Sequence, residues 1–219
     1  MKKSNILFLL SGFLLLTFTA CNNAPEGEKA EVKEAVAQKE AVATDRTVQI
    51  TPTNTVIVWT ATKTFGGHHG KISVKDGSLG LKDGKLVSGK VNIDMNSIAD
   101  EDLQEPSRQA KLVRHLKSED FFDVANHPVA TFEITKVTPD AAKAGMVSVA
   151  GNLTIKGITK SIEIPAEVAI SKEGVNVKTP AFTINRLEWG IKFHSGILGT
   201  PKDMIINDNI GLQIIINAK

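Results

Sequence analysis

Apolar residues in this chain recur at every second position, in short runs closed by Gly, Asn, Asp and Pro. Successive side chains of a strand point to opposite faces, so such a run makes one buried face and one wet face. In Gly89–Met95 the odd positions are apolar or small and the even ones polar. Val147, Val149, Leu153 and Ile155 share one face of the next such run, and Ile210, Leu212, Ile214 and Ile216 share another. Ile162–Ile170 alternates likewise, with Pro165 on the polar side, where an edge or bulge accepts it. Asp76-Gly77, Asp83-Gly84 and Glu173-Gly174 read as turns, since Asp-Gly suits the primed turns of hairpins. Lys156-Gly157 reads as a further short connection. Residues 97–128 break the pattern: Pro106-Ser107 can start a helix, and Leu112, Val113, Leu116 and Phe121 follow at helical spacing. The expected fold is all-β, an eight-stranded antiparallel barrel over residues 48–219 with one helical insertion. Closing consecutive hairpins into a barrel removes exposed sheet edges.

The N-terminus reads differently. Lys2 and Lys3 precede an apolar run, Ile6 to Phe18, that is too short to span a bilayer and fits a secretory signal. Thr19 and Ala20 lead into Cys21, the chain's single cysteine, which has no partner for an internal disulfide. The arrangement resembles the lipobox of bacterial lipoproteins, with Phe18 where Leu is usual. That resemblance implies a signal peptide over 1–20 and a diacylglyceride on Cys21, and it places the protein in the cell envelope. Asn22 is not the Asp that resembles an inner-membrane retention signal, so the expected location is the outer membrane, facing the periplasm. Residues 21–47 read as a flexible tether. The run Glu28-Lys29-Ala30-Glu31-Val32-Lys33-Glu34 could form a fragile helix through charged neighbours, with no face wide enough to dock.

Without residues 1–20, 24 basic residues face 24 acidic ones. No basic stripe argues for nucleic acid. His68-His69 invites a metal reading, but neighbours on a strand point apart, and no carboxylate partner or cysteine is evident beside them. No metal and no cofactor is expected. Gly66–Lys71 lacks the spacing of a phosphate loop, and Ile72 stands where Ser or Thr is needed. His115 with Glu119-Asp120 could be read as acid–base machinery; the simpler reading is a turn capped by Ser118, with Phe121 and Phe122 plugging one barrel end. There is no nucleophile elbow of the G-x-S-x-G type.

Several segments, taken in order, resemble the YceI-like family of lipocalin-like proteins. They are Val58-Trp59 with Lys63, His69-Gly70, residues 91–98, and above all His115-Leu116-Lys117-Ser118-Glu119-Asp120-Phe121-Phe122-Asp123 followed by His127-Pro128-Val129-Ala130-Thr131-Phe132. Residues 151–160 and Asn185-Arg186-Leu187-Glu188-Trp189-Gly190-Ile191 continue the match. Asn185 stands where Asp is usual before the Arg, and His127 where Tyr commonly precedes the Pro. The resemblance implies a barrel that binds an isoprenoid-type or other long apolar lipid and has no enzymatic activity.

Small inward residues and few aromatics (two Trp, no Tyr) favour an unfilled tunnel. The candidate lining is Ile93, Phe132, Val149, Leu153 and Ile155 on strands, Trp59, the Phe121-Phe122 plug, and Arg186 and Trp189 at a mouth. The rival readings are a structural or stress-related envelope barrel with no dedicated ligand, and a hydrolase using His115 or His69. Pairing of two copies as a homodimer is compatible with either barrel reading.

Overall fold

The computed structural model describes residues 24–37 and 42–219; Cys21 and the signal-like segment lie outside them. Two short strands, β1 (Glu28–Lys29) and β2 (Glu31–Glu34), precede β3 (Arg46–Ile50). A hairpin of β4 (Thr55–Thr62) and β5 (Gly67–Ile72) is followed by one of β6 (Val74–Lys82) and β7 (Lys85–Asp94). After β8 (Ala99–Asp100) and the helix α1 (Pro106–Leu116) comes a meander of β9 (Val129–Pro139), β10 (Met146–Ile155) and β11 (Ile158–Ile170). The chain ends on β12 (Val175–Lys178), β13 (Phe182–Asn185) and β14 (Asn209–Ala218).

These strands form a single sheet that curls on itself. Only Ser73 separates β5 from β6, so residues 67–82 are one bent strand that pairs first with β4 and then with β7. From β7 the pairing continues through β9, β10, β11, β12, β14 and β4, back to β5. β12 and β13 are two pieces of one strand along β14, bridged by Thr179, whose hydroxyl accepts the Ile214 N–H at 2.9 Å. Counted that way the wall has the eight staves expected, with β1, β2, β3 and β8 added. The sequence undercounts the fourteen segments because strands of two to four residues are too short to show alternation.

Three turn assignments hold and one does not; Glu173-Gly174 lies in the connection between β11 and β12, closed by the Ser171 N–H on the Gly174 carbonyl. Asp83-Gly84 and Lys156-Gly157 both lie at positive φ, the geometry of a type I′ hairpin. Asp76-Gly77, by contrast, lies inside β6, beside a bulge, and a Cβ on Gly77 would come within 2.5 Å of the Lys90 carbonyl oxygen. The glycine there serves close strand approach rather than a turn. The helix begins at Pro106, as its N1 chemistry suggests, with the Glu105 carboxylate accepting the Ser107 and Arg108 N–H groups.

The segment read as a tether is partly woven into the wall. Between the first half of β11 and β13 the sheet has a seam, and β2 pairs antiparallel with β11 while β1 pairs parallel with β13. Ala30 is buried and Val32 packs against the core, so Glu/Lys alternate outward at a period of two rather than 3.6. The expected fragile helix is therefore a strand pair. The Asn152 amide clamps the Val36 backbone on both sides, and Lys160 pairs with Glu34 at 2.7 Å.

Candidate functional site

The sheet encloses a cavity of about 170 Å³. Among the described residues that line it, Thr179 and Arg186 are the only polar ones apart from the two tryptophans. For scale, an engineered apolar cavity of about 150 Å³ stays dry and binds a benzene-sized ligand. Alternation supplies the lining: Val149, Leu153 and Ile155 from β10, Ile162 and Ile164 from β11, and Ile210, Leu212, Ile214 and Ile216 from β14. Gly151 leaves room where a Cβ would meet the Phe132 ring at 2.4 Å, so that ring lies across β10 opposite Leu153.

All ten residues read as candidate lining, namely Trp59, Ile93, Phe121, Phe122, Phe132, Val149, Leu153, Ile155, Arg186 and Trp189, border this cavity. Their polar atoms are spoken for. The Trp59 indole N–H donates to the Ala99 carbonyl and that of Trp189 to the Leu153 carbonyl, each at 3.1 Å. Arg186 donates to the Asn207, Ile191 and Ile206 carbonyls at 3.2, 2.9 and 3.1 Å and to Asp208 Oδ1 at 3.0 Å. Burial pulls its pKa down from the ordinary range, opposed by Asp208. The guanidinium is turned into the loop and fastens it; it is not held out toward a ligand head group.

Asn185, standing where Asp is usual, caps the following 3-10 turn by accepting the Leu187 N–H at 3.0 Å. Asp208 supplies the carboxylate instead, 22 residues away in sequence. Phe121 and Phe122 are half-buried at the helix end of the cavity, and Phe121 packs with Phe193 and His115. Ser118 donates its hydroxyl to the His115 carbonyl, and its own carbonyl accepts the Phe121 and Asp123 N–H groups. His115 Nε2 lies 3.0 Å from Asp120 at the surface.

Beyond the cavity lining, His68 is not without carboxylates. Its Nδ1 lies 3.0 Å from Asp102 Oδ2 and 3.9 Å from Asp100. Pairing of Gly70 with Asp100 brings them together across 30 residues of sequence, which corrects the reading that nothing acidic flanks this histidine. Burial, together with the neighbouring Asp102, pushes Asp100 above the usual carboxylate range, against the pull of the Leu103 N–H and His68. Burial also opposes ionisation of Asp102, but the His69 N–H, Asp100 and the His68 ring outweigh it and hold that carboxyl at about 2.

Residues 48–218 match the family model of the YceI-like domain. A curated relative, a UPF0312 protein of Pseudomonas aeruginosa (strain LESB58), is 31% identical over 100 residues, which is 46% of this chain and 48% of that protein. The chain thus spans about half the length of the curated relatives it matches. Among solved structures, Burkholderia cenocepacia BcnA superposes with a TM-score of 0.61 at 19% identity, covering 78% of this chain and 99% of that one. A polyisoprenoid binding domain from Saccharophagus degradans, implicated in plant cell wall breakdown, gives 0.55 at 13% identity, covering 79% and 97%. At these identities the likeness is one of fold.

Proposed function

This chain belongs to the YceI-like domain family, and on that premise we propose that its barrel binds one long apolar chain of an isoprenoid-type or similar amphiphilic lipid. The observation that carries this reading is the cavity wall: apolar around its whole described length, with its two polar side chains, Thr179 and Arg186, already hydrogen-bonded. Each methylene buried against such a wall contributes about 0.8 kcal/mol, before the ordering costs of binding. A wall of this kind retains a ligand by area and selects it by width. Among the described residues that line it, none is an activated acid, base or nucleophile, which supports a binding protein over an enzyme.

The polyisoprenoid binding of the Saccharophagus degradans domain supports the same class of ligand by analogy of fold. The N-terminal pattern around Cys21 supports anchoring through an acylated cysteine, in the outer membrane facing the periplasm. There the protein would hold or carry a lipid between the membranes.

The deciding experiment is native mass spectrometry of the full chain purified in mild detergent, followed by organic extraction. The expected result is close to one long apolar lipid per chain. A wild-type protein that yields none, and takes up none from added polyprenol, identifies the barrel as structural.

A further inference from the structure

At the start of β5, beyond the residues that line the cavity, the β5–β8 pairing assembles three donor groups, with His68 on the same strand face as Gly70 and Ile72. One ligating atom from each of His68, Asp100 and Asp102 lies within 4.8 Å of the others. The Asp100 side chain is fully shielded from solvent, and while its Oδ1 accepts the Leu103 N–H at 3.0 Å, Oδ2 has no hydrogen-bond partner. Leaving a buried acceptor unmade costs roughly 1–3 kcal/mol, and more for a charged group. Here the orphaned oxygen faces a second carboxylate as well. His68 offsets at most one of the two negative charges, and its nearer contact is with Asp102.

We propose that His68, Asp100 and Asp102 form a binding site for a divalent first-row transition ion such as Zn²⁺. An ion at the centre of the three groups gives Asp100 Oδ2 the partner it lacks and neutralises both carboxylates. The donor set selects the class of ion. An imidazole nitrogen with two carboxylate oxygens suits zinc and its neighbours, whereas Ca²⁺ and Mg²⁺ take oxygen sets. Zinc ligands bind at about 2.0–2.2 Å, which places neighbouring donor atoms roughly 3–3.5 Å apart. The 3.0 and 3.9 Å separations observed bracket that spacing. His68 and Asp102 are each about a quarter exposed (25% and 23%), so water can complete the shell.

The groups are already held in place. The His69 N–H donates to Asp102 Oδ1 at 2.8 Å, and Gln109 from α1 donates to the Asp100 carbonyl at 2.8 Å. Such second contacts are what orient ligands in metal sites. His69 is not part of the cluster: its Nδ1 lies 3.9 Å from Asp102 Oδ1, the oxygen that its own N–H occupies, and its ring is 54% exposed. The Ala99 carbonyl, one residue before Asp100, receives the Trp59 indole, so a bound ion would fasten the stretch before α1 to the cavity wall.

The test uses the full chain in detergent, stripped with a chelator, dialysed and titrated with ZnCl₂ under equilibrium dialysis with metal quantification. Co²⁺ in place of zinc reads the donor set through its visible spectrum. One equivalent is expected, with a raised melting temperature. His68→Ala and Asp100→Asn should each weaken binding by about tenfold or more, equivalent to about 1.4 kcal/mol, while His69→Ala stays close to wild type. Asp100→Asn is isosteric, and Asp102→Asn provides the same test if it fails to fold. Substoichiometric zinc at a hundred-micromolar order of free metal, or binding indifferent to Asp100→Asn, overturns the site.

Discussion

Arg186 and Asp208 form an ion pair at 3.0 Å in which the arginine side chain is 1% exposed and the aspartate 25%. The same carboxylate reaches Ser195 Oγ at 3.0 Å with its second oxygen. One pair thereby ties three stretches together: the turn after β13, the loop through Ser195, and the approach to β14. Those stretches make up one end of the cavity wall, where Trp189 and Ile191 sit almost wholly buried.

Replacing Arg186 with Met therefore removes four donated hydrogen bonds and leaves Asp208 without its cation. Breaking a buried pair from one side typically costs about 3–5 kcal/mol. Urea denaturation of Arg186→Met should show a loss in that range, and any lipid still bound should be of the same class as in wild type. A variant of normal stability that exchanges one lipid for another would assign Arg186 to the head group after all.

How much of this was legible beforehand depends on the range of the interaction. Alternation is a local signal, so the faces of β7, β10, β11 and β14, with Ile93, Val149, Leu153 and Ile155 among the candidates, could be read from spacing, and the helix from Pro106 onward likewise. Trp59, Phe121, Phe122, Phe132, Arg186 and Trp189 are marked instead by the segments that carry the family resemblance. Long-range partners could be read from neither. Nothing in Asn185-Arg186 announces that Asp208 completes the pair, nor in His68-His69 that Asp100 and Asp102 return beside it. The seam strands are an intermediate case. Ala30 and Val32 do alternate with charges, but two small apolar residues among Glu and Lys fit a solvated spacer equally well until β11 and β13 are seen to lack neighbours there.

That seam gives a proteolysis prediction. Lys29 and Lys33 are exposed residues whose backbone is engaged in strand pairing, so trypsin should cut there slowly in the wild-type protein. Ala30→Asp puts a charge at a buried position and should release the segment, giving rapid cleavage at both lysines while the barrel core stays resistant. Equal cleavage rates in the two proteins would show that the segment does not hold the seam in solution.

Anchoring is tested separately. If Cys21 carries the acyl chains, Cys21→Ser should move the protein from the membrane fraction to the soluble periplasmic fraction while the barrel keeps its melting temperature. Among the described residues no helix is long and apolar enough to cross a membrane, so none provides a helical substitute for the anchor. Membrane association unchanged in Cys21→Ser would refute the lipoprotein assignment without touching the cavity.

The cavity itself is probed at Leu153, which is 6% exposed, lies opposite Phe132 in the ladder and lines the cavity. Two substitutions pull in opposite directions. Leu153→Ala enlarges the space and should cost about 2–5 kcal/mol, as large-to-small changes in a core do. Leu153→Trp fills it. In a barrel packed solid the larger ring would overpack its neighbours at a cost of about 1–3 kcal/mol, and there would be no ligand to lose. In a barrel with an open apolar cavity the ring enters space that lipid otherwise occupies, so bound lipid should fall to background while lipid-free stability changes by less than about 1 kcal/mol, below that overpacking range. The comparison must be made on delipidated protein, because a ligand that binds only the folded state adds its own stabilisation to wild type. A Leu153→Trp protein that is sharply destabilised when lipid-free, beside a wild type from which no lipid can be extracted, would mean that the wall is simply a core.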